Sequence, residues 1–275
     1  MYCNDICTST VASVYLQYQL TMYLLRRRIY LSLYLLLISS FCYAQFNVKD
    51  SIRQFSMIKA HGGFYLPGGD MADRFGNNFI IGAAFSYKSS KNWVFNFDAG
   101  FITGNNIREQ NILQNLVNGQ GQVVGIDGSY ATIVLSERGF NFNFGLGKVF
   151  PIIGPNPNSG LLISSGLGLI QHKIRIFDET GTVSALKGNY KKGYDRLTNG
   201  LCINPFIGYV NFSNNRLLNF SFGLDCLLGF TQSRRSFNYD LRMVDQKNRQ
   251  DVLIGLKTSW IIPLYKKTPL KYYFR

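Results

Sequence analysis

Residues 217–231 read LLNFSFGLDCLLGFT, and this stretch constrains the chain more than any other. Leu218, Phe220, Phe222, Leu224, Cys226, Leu228 and Phe230 fall on one side of a period of two. Asn219, Ser221, Gly223, Asp225, Gly229 and Thr231 fall on the other, and only Leu227 departs from the pattern. That period belongs to a β-strand, whose successive side chains point to opposite faces. The segment is longer than the usual strand of about five or six residues. One face is large and apolar and the other small and polar with a charge, which suits a strand crossing a membrane with lipid outside and a polar lumen inside.

The rest of the chain repeats the theme. Phe (22), Tyr (17) and Gly (27) are abundant, while Asp, Glu, Lys and Arg make up only 16%, below the share expected of soluble domains. No apolar run approaches the roughly eighteen residues of a membrane-spanning helix. The expected fold is therefore all-β: an eight-stranded antiparallel up-and-down transmembrane β-barrel with both termini periplasmic. A soluble sandwich or lipocalin-like barrel is the alternative, since its strands also alternate.

Arg26, Arg27 and Arg28 precede an apolar run from Ile29 to Ile38, and Ser39-Ser40-Phe41-Cys42-Tyr43-Ala44 follows. A basic region, a short apolar core and a small-x-Ala site form a secretory signal peptide. Residues 1–44 are read as a leader, with Met22 an alternative start and Gln45 the first mature residue. Residues 45–275 form one outer-membrane barrel domain, exported by the general secretory route of a Gram-negative cell. Losing the leader removes Cys3, Cys7 and Cys42. The remaining Cys202 and Cys226 make neither a disulfide framework nor a metal site.

Strands are expected around Ile58–Leu66, Phe79–Tyr87 and Trp93–Phe101, with a short helix over Ile107–Val117 in the segment that follows. Tyr130–Phe150 is a long extended run interrupted by Glu137-Arg138-Gly139. A turn there gives nine strands; a bulge gives eight, and even counts are the rule in bacterial barrels. With the bulge, longer loops near 67–77, 104–129, 178–198 and 232–250 alternate strictly with shorter ones near 89–92, 151–160 and 213–215, as outer loops and periplasmic turns do. Pro205 marks a bulge or irregularity. A two-residue Asn214-Asn215 turn sets Cys202 opposite Leu227, with Cys202 in the lumen and Cys226 in lipid. A turn centred on Asn214 makes the two cysteines neighbours instead.

On this register Lys59, His61, Asn96, Asp98, Asn141, Asn143, Asp225 and Lys257 point inward. Buried charges need partners, so the lumen is read as a salt-bridged plug with Asp225 paired to Lys257. No catalytic residues and no metal or cofactor are assigned. His172 stands on the same strand as Ser164 and Ser165, but seven residues span more than about 20 Å of strand. Two outer segments, YKKGYDRLTN (residues 190–199) and QSRRSFNYD (residues 232–240), mix Arg, Tyr and Asn, types enriched at binding surfaces. Tyr194, Asp195, Arg196, Arg234, Arg235 and Tyr239 are the candidate loop-binding residues. The alternative is a solvated rim that meets lipid phosphates. Expected partners are outer-membrane lipids, lipopolysaccharide and proteins docking on the extracellular loops, with no nucleic acid.

The leader ending in Ala44-Gln45, the segments YKKGYDRLTNG, FSNNRL and QSRRSFNYD, and TSWIIPLYKK near the end resemble a family of small outer-membrane barrel proteins of Bacteroidota. The resemblance implies an outer-membrane barrel but no well-defined activity; the non-enzymatic reading rests on the residues above. PorT-like barrels, distantly similar in build, imply a second reading as a component of a type IX secretion or gliding-motility assembly. An outer-membrane lipid-modifying enzyme is the third.

Overall fold

The computed structural model describes Arg27 and residues 51–264; the leader, the cleavage site and the tail from Tyr265 lie outside the described residues. The described residues form nine strands: β1 (Phe55–Gly69), β2 (Asn78–Lys88), β3 (Trp93–Gly104), β4 (Ile133–Phe150), β5 (Gly160–Asp178), β6 (Thr198–Ile203), β7 (Phe206–Asn211), β8 (Phe220–Ser233) and β9 (Asn248–Leu264). Apart from β6 and β7, successive strands pair antiparallel, and β1 pairs with β9, so the sheet closes on itself. β6 and β7 are two halves of one pass between β5 and β8, giving eight passes. Closure leaves no unpaired edge.

Period-two chemistry decides which face is which. Along β8, Phe220, Phe222, Leu224 and Phe230 are exposed on the outer surface while Ser221, Gly223, Asp225 and Thr231 are buried inside. Phe79, Ile81, Phe85, Phe95, Phe97, Phe140, Phe142, Phe144, Leu167, Leu169, Leu201, Ile254 and Leu256 continue the outer apolar belt around the barrel. Leu227, which breaks the alternation, points inward and is fully buried.

Four details differ from the sequence expectation. First, β4 runs straight through Glu137-Arg138-Gly139 with no bulge: Gly104 faces Glu137 and Trp93 faces Lys148 in one unbroken register. Gly139 lies flush against the Gln171 carbonyl and His172 of β5, where a Cβ would clash. Second, the β7–β8 connection spans residues 212–219 and holds a 3₁₀ turn at Arg216–Leu218 instead of a two-residue turn. The register moves by two, so Cys202 faces Gly229; an even slip keeps every side chain on its face. Third, Pro205 interrupts the pass without inserting a residue, since the same register resumes beyond it. Fourth, residues 107–117 contain only a 3₁₀ turn, Gln110–Leu113, although Ile107, Ile112 and Leu113 are buried.

The short connections (89–92, 151–159, 212–219) share one end of the barrel with the start of β1 and the end of β9. The long ones (70–77, 105–132, 179–197, 234–247) share the other.

Candidate functional site

The barrel interior is layered. At the short-loop end, Phe55, Met57, Val94, Val149, Leu162, Val210, Phe212 and Ile261 form an apolar seal. Towards the long loops, Ile80, Ile102, Ile170, Leu227 and Leu253 pack with Met71, Phe75, Ile112, Val183 and Leu186 from the connections. Between these layers lies a polar tier around a cavity of about 50 Å³.

The polar tier holds the eight inward residues. Lys59, His61, Asp98, Asn141, Asn143 and Asp225 are buried, and the Lys257 side chain is 11% exposed. Their pairing differs from expectation: Lys257 does not close on Asp225. Its Nζ donates to Asp98 Oδ2 at 2.9 Å, and His61 Nε2 lies 3.1 Å from the same oxygen. Asp225 is held by other groups, the Tyr65 hydroxyl (2.6 Å to Oδ2) and Asn204 Nδ2 (3.0 Å to Oδ1). The reason is reach. Gly63 and Gly255 carry no side chain, so the Tyr65 ring lies over both and delivers its hydroxyl to Asp225, directly opposite Gly255. Lys257 then extends across the lumen. Asn96 accepts from the Ser86 hydroxyl, and Cys202 Sγ donates to Asn143 Oδ1 at 3.1 Å.

A second polar cluster sits higher. His172 points inward, fully buried, with Nε2 2.8 Å from Asp251 Oδ2. The Thr231 hydroxyl donates to that same carboxylate oxygen, so it serves the acid and not the imidazole. No nucleophile–base hydrogen bond is formed here. Among the described residues no group of three or more His, Cys, Asp or Glu could hold a metal ion.

The six loop candidates are engaged largely with one another and with their neighbours. Asp195 and Arg235 form an ion pair. Arg196, buried and with positive φ, binds Asp240 through both ends of its guanidinium and Glu109 Oε1 at 2.9 Å through Nε. Tyr194 is buried, accepts from Asn115 Nδ2 at 3.0 Å and packs edge-on against Tyr239. Arg234 is exposed, with Nε donating to Asn199 Oδ1.

Sequence reading missed the groups that complete this network. Arg74 contacts Glu109 (3.4 Å) and Asp245 (3.5 Å), and Arg249 contacts Asp245 at 2.6 Å. Arg74, Glu109, Arg196, Asp240 and Asp245 come from all four long connections, so the network ties them into one cap. Burial works against the Arg196 charge, but Asp240 and Glu109 outweigh it and raise its pKa. Burial also opposes the Asp245 charge, and the Arg249 hydrogen bond helps pull its pKa below the usual range. The Lys247 and Gln250 hydrogen bonds lower the pKa of Asp70.

Solved structures similar to the chain include the attachment invasion locus protein Ail of Yersinia pestis, at 9% identity over 76% of this chain and 98% of that one, TM-score 0.38. Neisserial surface protein A matches at 9% identity over 74% and 96%, TM-score 0.37. The outer membrane protein OprG from Pseudomonas aeruginosa matches at 12% identity over 78% and 99%, TM-score 0.36. No protein-family model and no curated protein matches the chain.

Proposed function

We propose that this protein is an integral outer-membrane β-barrel with a plugged lumen and no enzymatic activity, exported by the general secretory route, that binds or scaffolds through its long loops. The observation that carries this reading is an exposed apolar patch on the tied cap: Phe237, Tyr239, Leu241, Met243 and Val244 stand out in a loop whose base is pinned by Arg196 and Arg235. Contiguous apolar surface on a rigid support is what a protein partner recognises. The outer belt of aromatic and aliphatic residues supports the membrane placement. Arg138 and Lys173 face each other on β4 and β5 beside that belt. Like charges directly opposite repel, and a phosphate of lipopolysaccharide or another outer-membrane lipid would bridge them.

Co-purification from detergent-solubilised outer membranes tests the loop reading. The wild-type barrel should retain a partner that a Phe237→Asp, Leu241→Asp variant loses while keeping its β circular dichroism. A partner held at stoichiometric yield would place the protein in a larger assembly, the secretion or motility reading. Altered lipid profiles in a deletion strain would favour an enzyme instead. The two apolar layers support the plug, and bilayer conductance by the wild-type protein should be negligible.

A further inference from the structure

The interruption at Asn204-Pro205 is closed in an unusual way. The Cys226 N–H donates to the Pro205 carbonyl at 3.0 Å, so the rung expects an N–H at Pro205 to return a bond to the Cys226 carbonyl. Proline has none. The Asn204 side chain supplies it: Nδ2 donates to the Cys226 carbonyl at 2.7 Å as well as to Asp225. On the other side the Asn204 backbone exchanges both ladder bonds with Gly166, at 2.9 and 3.1 Å. The β7–β8 seam is therefore held at this level by one backbone bond and one side-chain bond, while the β5 side keeps its full ladder.

Two hollows meet at this seam. Inside is the polar cavity of about 50 Å³. Outside, on the apolar belt, a groove of about 480 Å³ runs along Leu146, Ile163, Pro205, Ile207, Leu224 and Ile254. Ser164, Phe206 and Asp225 line both hollows, so only one layer of residues separates them. The Phe206 ring is turned away towards Gly208, where a Cβ would lie 2.7 Å from its Cζ.

The cavity also contains a cation with no direct partner, although Asp98 and Asp225 line the same space. Lys257, His61, Asp98 and Asp225 each contact a partner, as described above. Lys59, only 8% exposed, lines the same cavity and has no hydrogen-bond or ion-pair partner among the described residues. A buried ammonium without a partner is costly and favours an anion.

We propose that the Asn204-Pro205 seam is a lateral binding site for a long-chain carboxylate of the fatty-acid class, its carboxylate meeting Lys59 in the cavity and its acyl chain lying in the outer groove. The cavity has room for only a few waters, which admits a carboxylate and excludes a glycerophosphate or sugar headgroup. The groove suits an aliphatic chain, and its place on the lipid-facing belt brings such an amphiphile to it from the membrane. This site rests on the membrane-spanning reading.

The test uses purified protein in phosphatidylcholine nanodiscs titrated with the fluorescent fatty acid cis-parinaric acid, with empty discs as the blank. Binding should be saturable at one site and displaced by palmitate but not by hexadecanol. Lys59→Met should weaken it by at least about tenfold, the usual worth of a charged hydrogen bond, and Lys59→Arg should restore it. Ser165→Trp, which fills the outer groove from the lipid face, should abolish it without touching Lys59. A barrel that inserts and shows no saturable binding, or binds equally well as Lys59→Met, overturns the site alone. Failure to insert as a β-barrel overturns the membrane reading and the site with it.

Discussion

Lys257 and Asp98 are joined across the lumen, with β1 and β2 between the strands that carry them. Their pair staples opposite parts of the wall, whereas Asp225 is bonded through Tyr65 and Asn204. Removing one partner of a buried pair leaves the other uncompensated, at a cost of about 3–5 kcal/mol. Lys257→Met should therefore lower the unfolding midpoint strongly, and adding Asp98→Asn should recover much of the loss. Asp225→Asn should cost less, because the Asn204 amide can still donate to the one remaining oxygen while the Tyr65 hydroxyl turns to accept from the new NH2 group. Urea unfolding of the three variants in one detergent checks the order. Asp225→Asn proving the most damaging would contradict this assignment.

Arg196 should govern the cap without governing the barrel. Arg196→Ala leaves Asp240 without its guanidinium and Glu109 without one of its two arginine contacts, at a local cost of about 3–5 kcal/mol. Limited proteolysis should cut within residues 105–132 and 234–247 faster than in wild type, while the strands stay resistant. The same change at exposed Arg234 should leave the cleavage pattern as it was.

Acid should open the cap first. Asp70 and Asp245 have pKa values lowered by their cationic and backbone partners. A depressed folded value gives stability that is complete above the ordinary aspartate range and lost as pH falls through the folded value. Protection factors of the loop amides, which remove the intrinsic pH dependence of exchange, should thus hold steady from neutral pH down to about 4 and fall below it, before those of the strands do. Loop protection that falls on raising the pH through neutrality would reverse the sign and refute this account.

Cys202 and Cys226 should both be free thiols. Cys202 is buried on the lumen side opposite Gly229, while Cys226 is partly exposed opposite Ile254 on β9. Side chains on opposite faces of a wall cannot meet the short Cβ separation that a disulfide needs. Alkylation of the denatured, unreduced protein followed by peptide mapping should find both modified. A peptide linking the two would mean that the β6–β8 register, which sets Cys202 opposite Gly229, is wrong by three residues.

Much of this molecule is legible in one dimension because a strand has a period of two. Alternation alone assigns Phe220, Phe222 and Leu224 to one face and Ser221 and Asp225 to the other, and loop length places alternate connections at one end. Face assignment survives a shift of register: Cys202 lies opposite Gly229 and not Leu227, yet an even shift keeps it inside. Pairing across the lumen is another matter. Whether Lys257 reaches Asp98 or Asp225 depends on barrel closure and on the space that Gly63 and Gly255 leave for Tyr65, and no local pattern encodes either. The apolar inward residues Ile80, Ile102 and Leu253 were invisible for a related reason: the loops fold back to cover them. The cap had no periodic signal at all, because Arg74, Glu109, Arg196 and Asp240 become neighbours only once four separate connections are gathered at one end of a closed sheet. Alternation settles which faces exist; barrel closure settles what each inward side chain meets, because those contacts join residues as far apart along the chain as Tyr65 and Asp225, 160 positions.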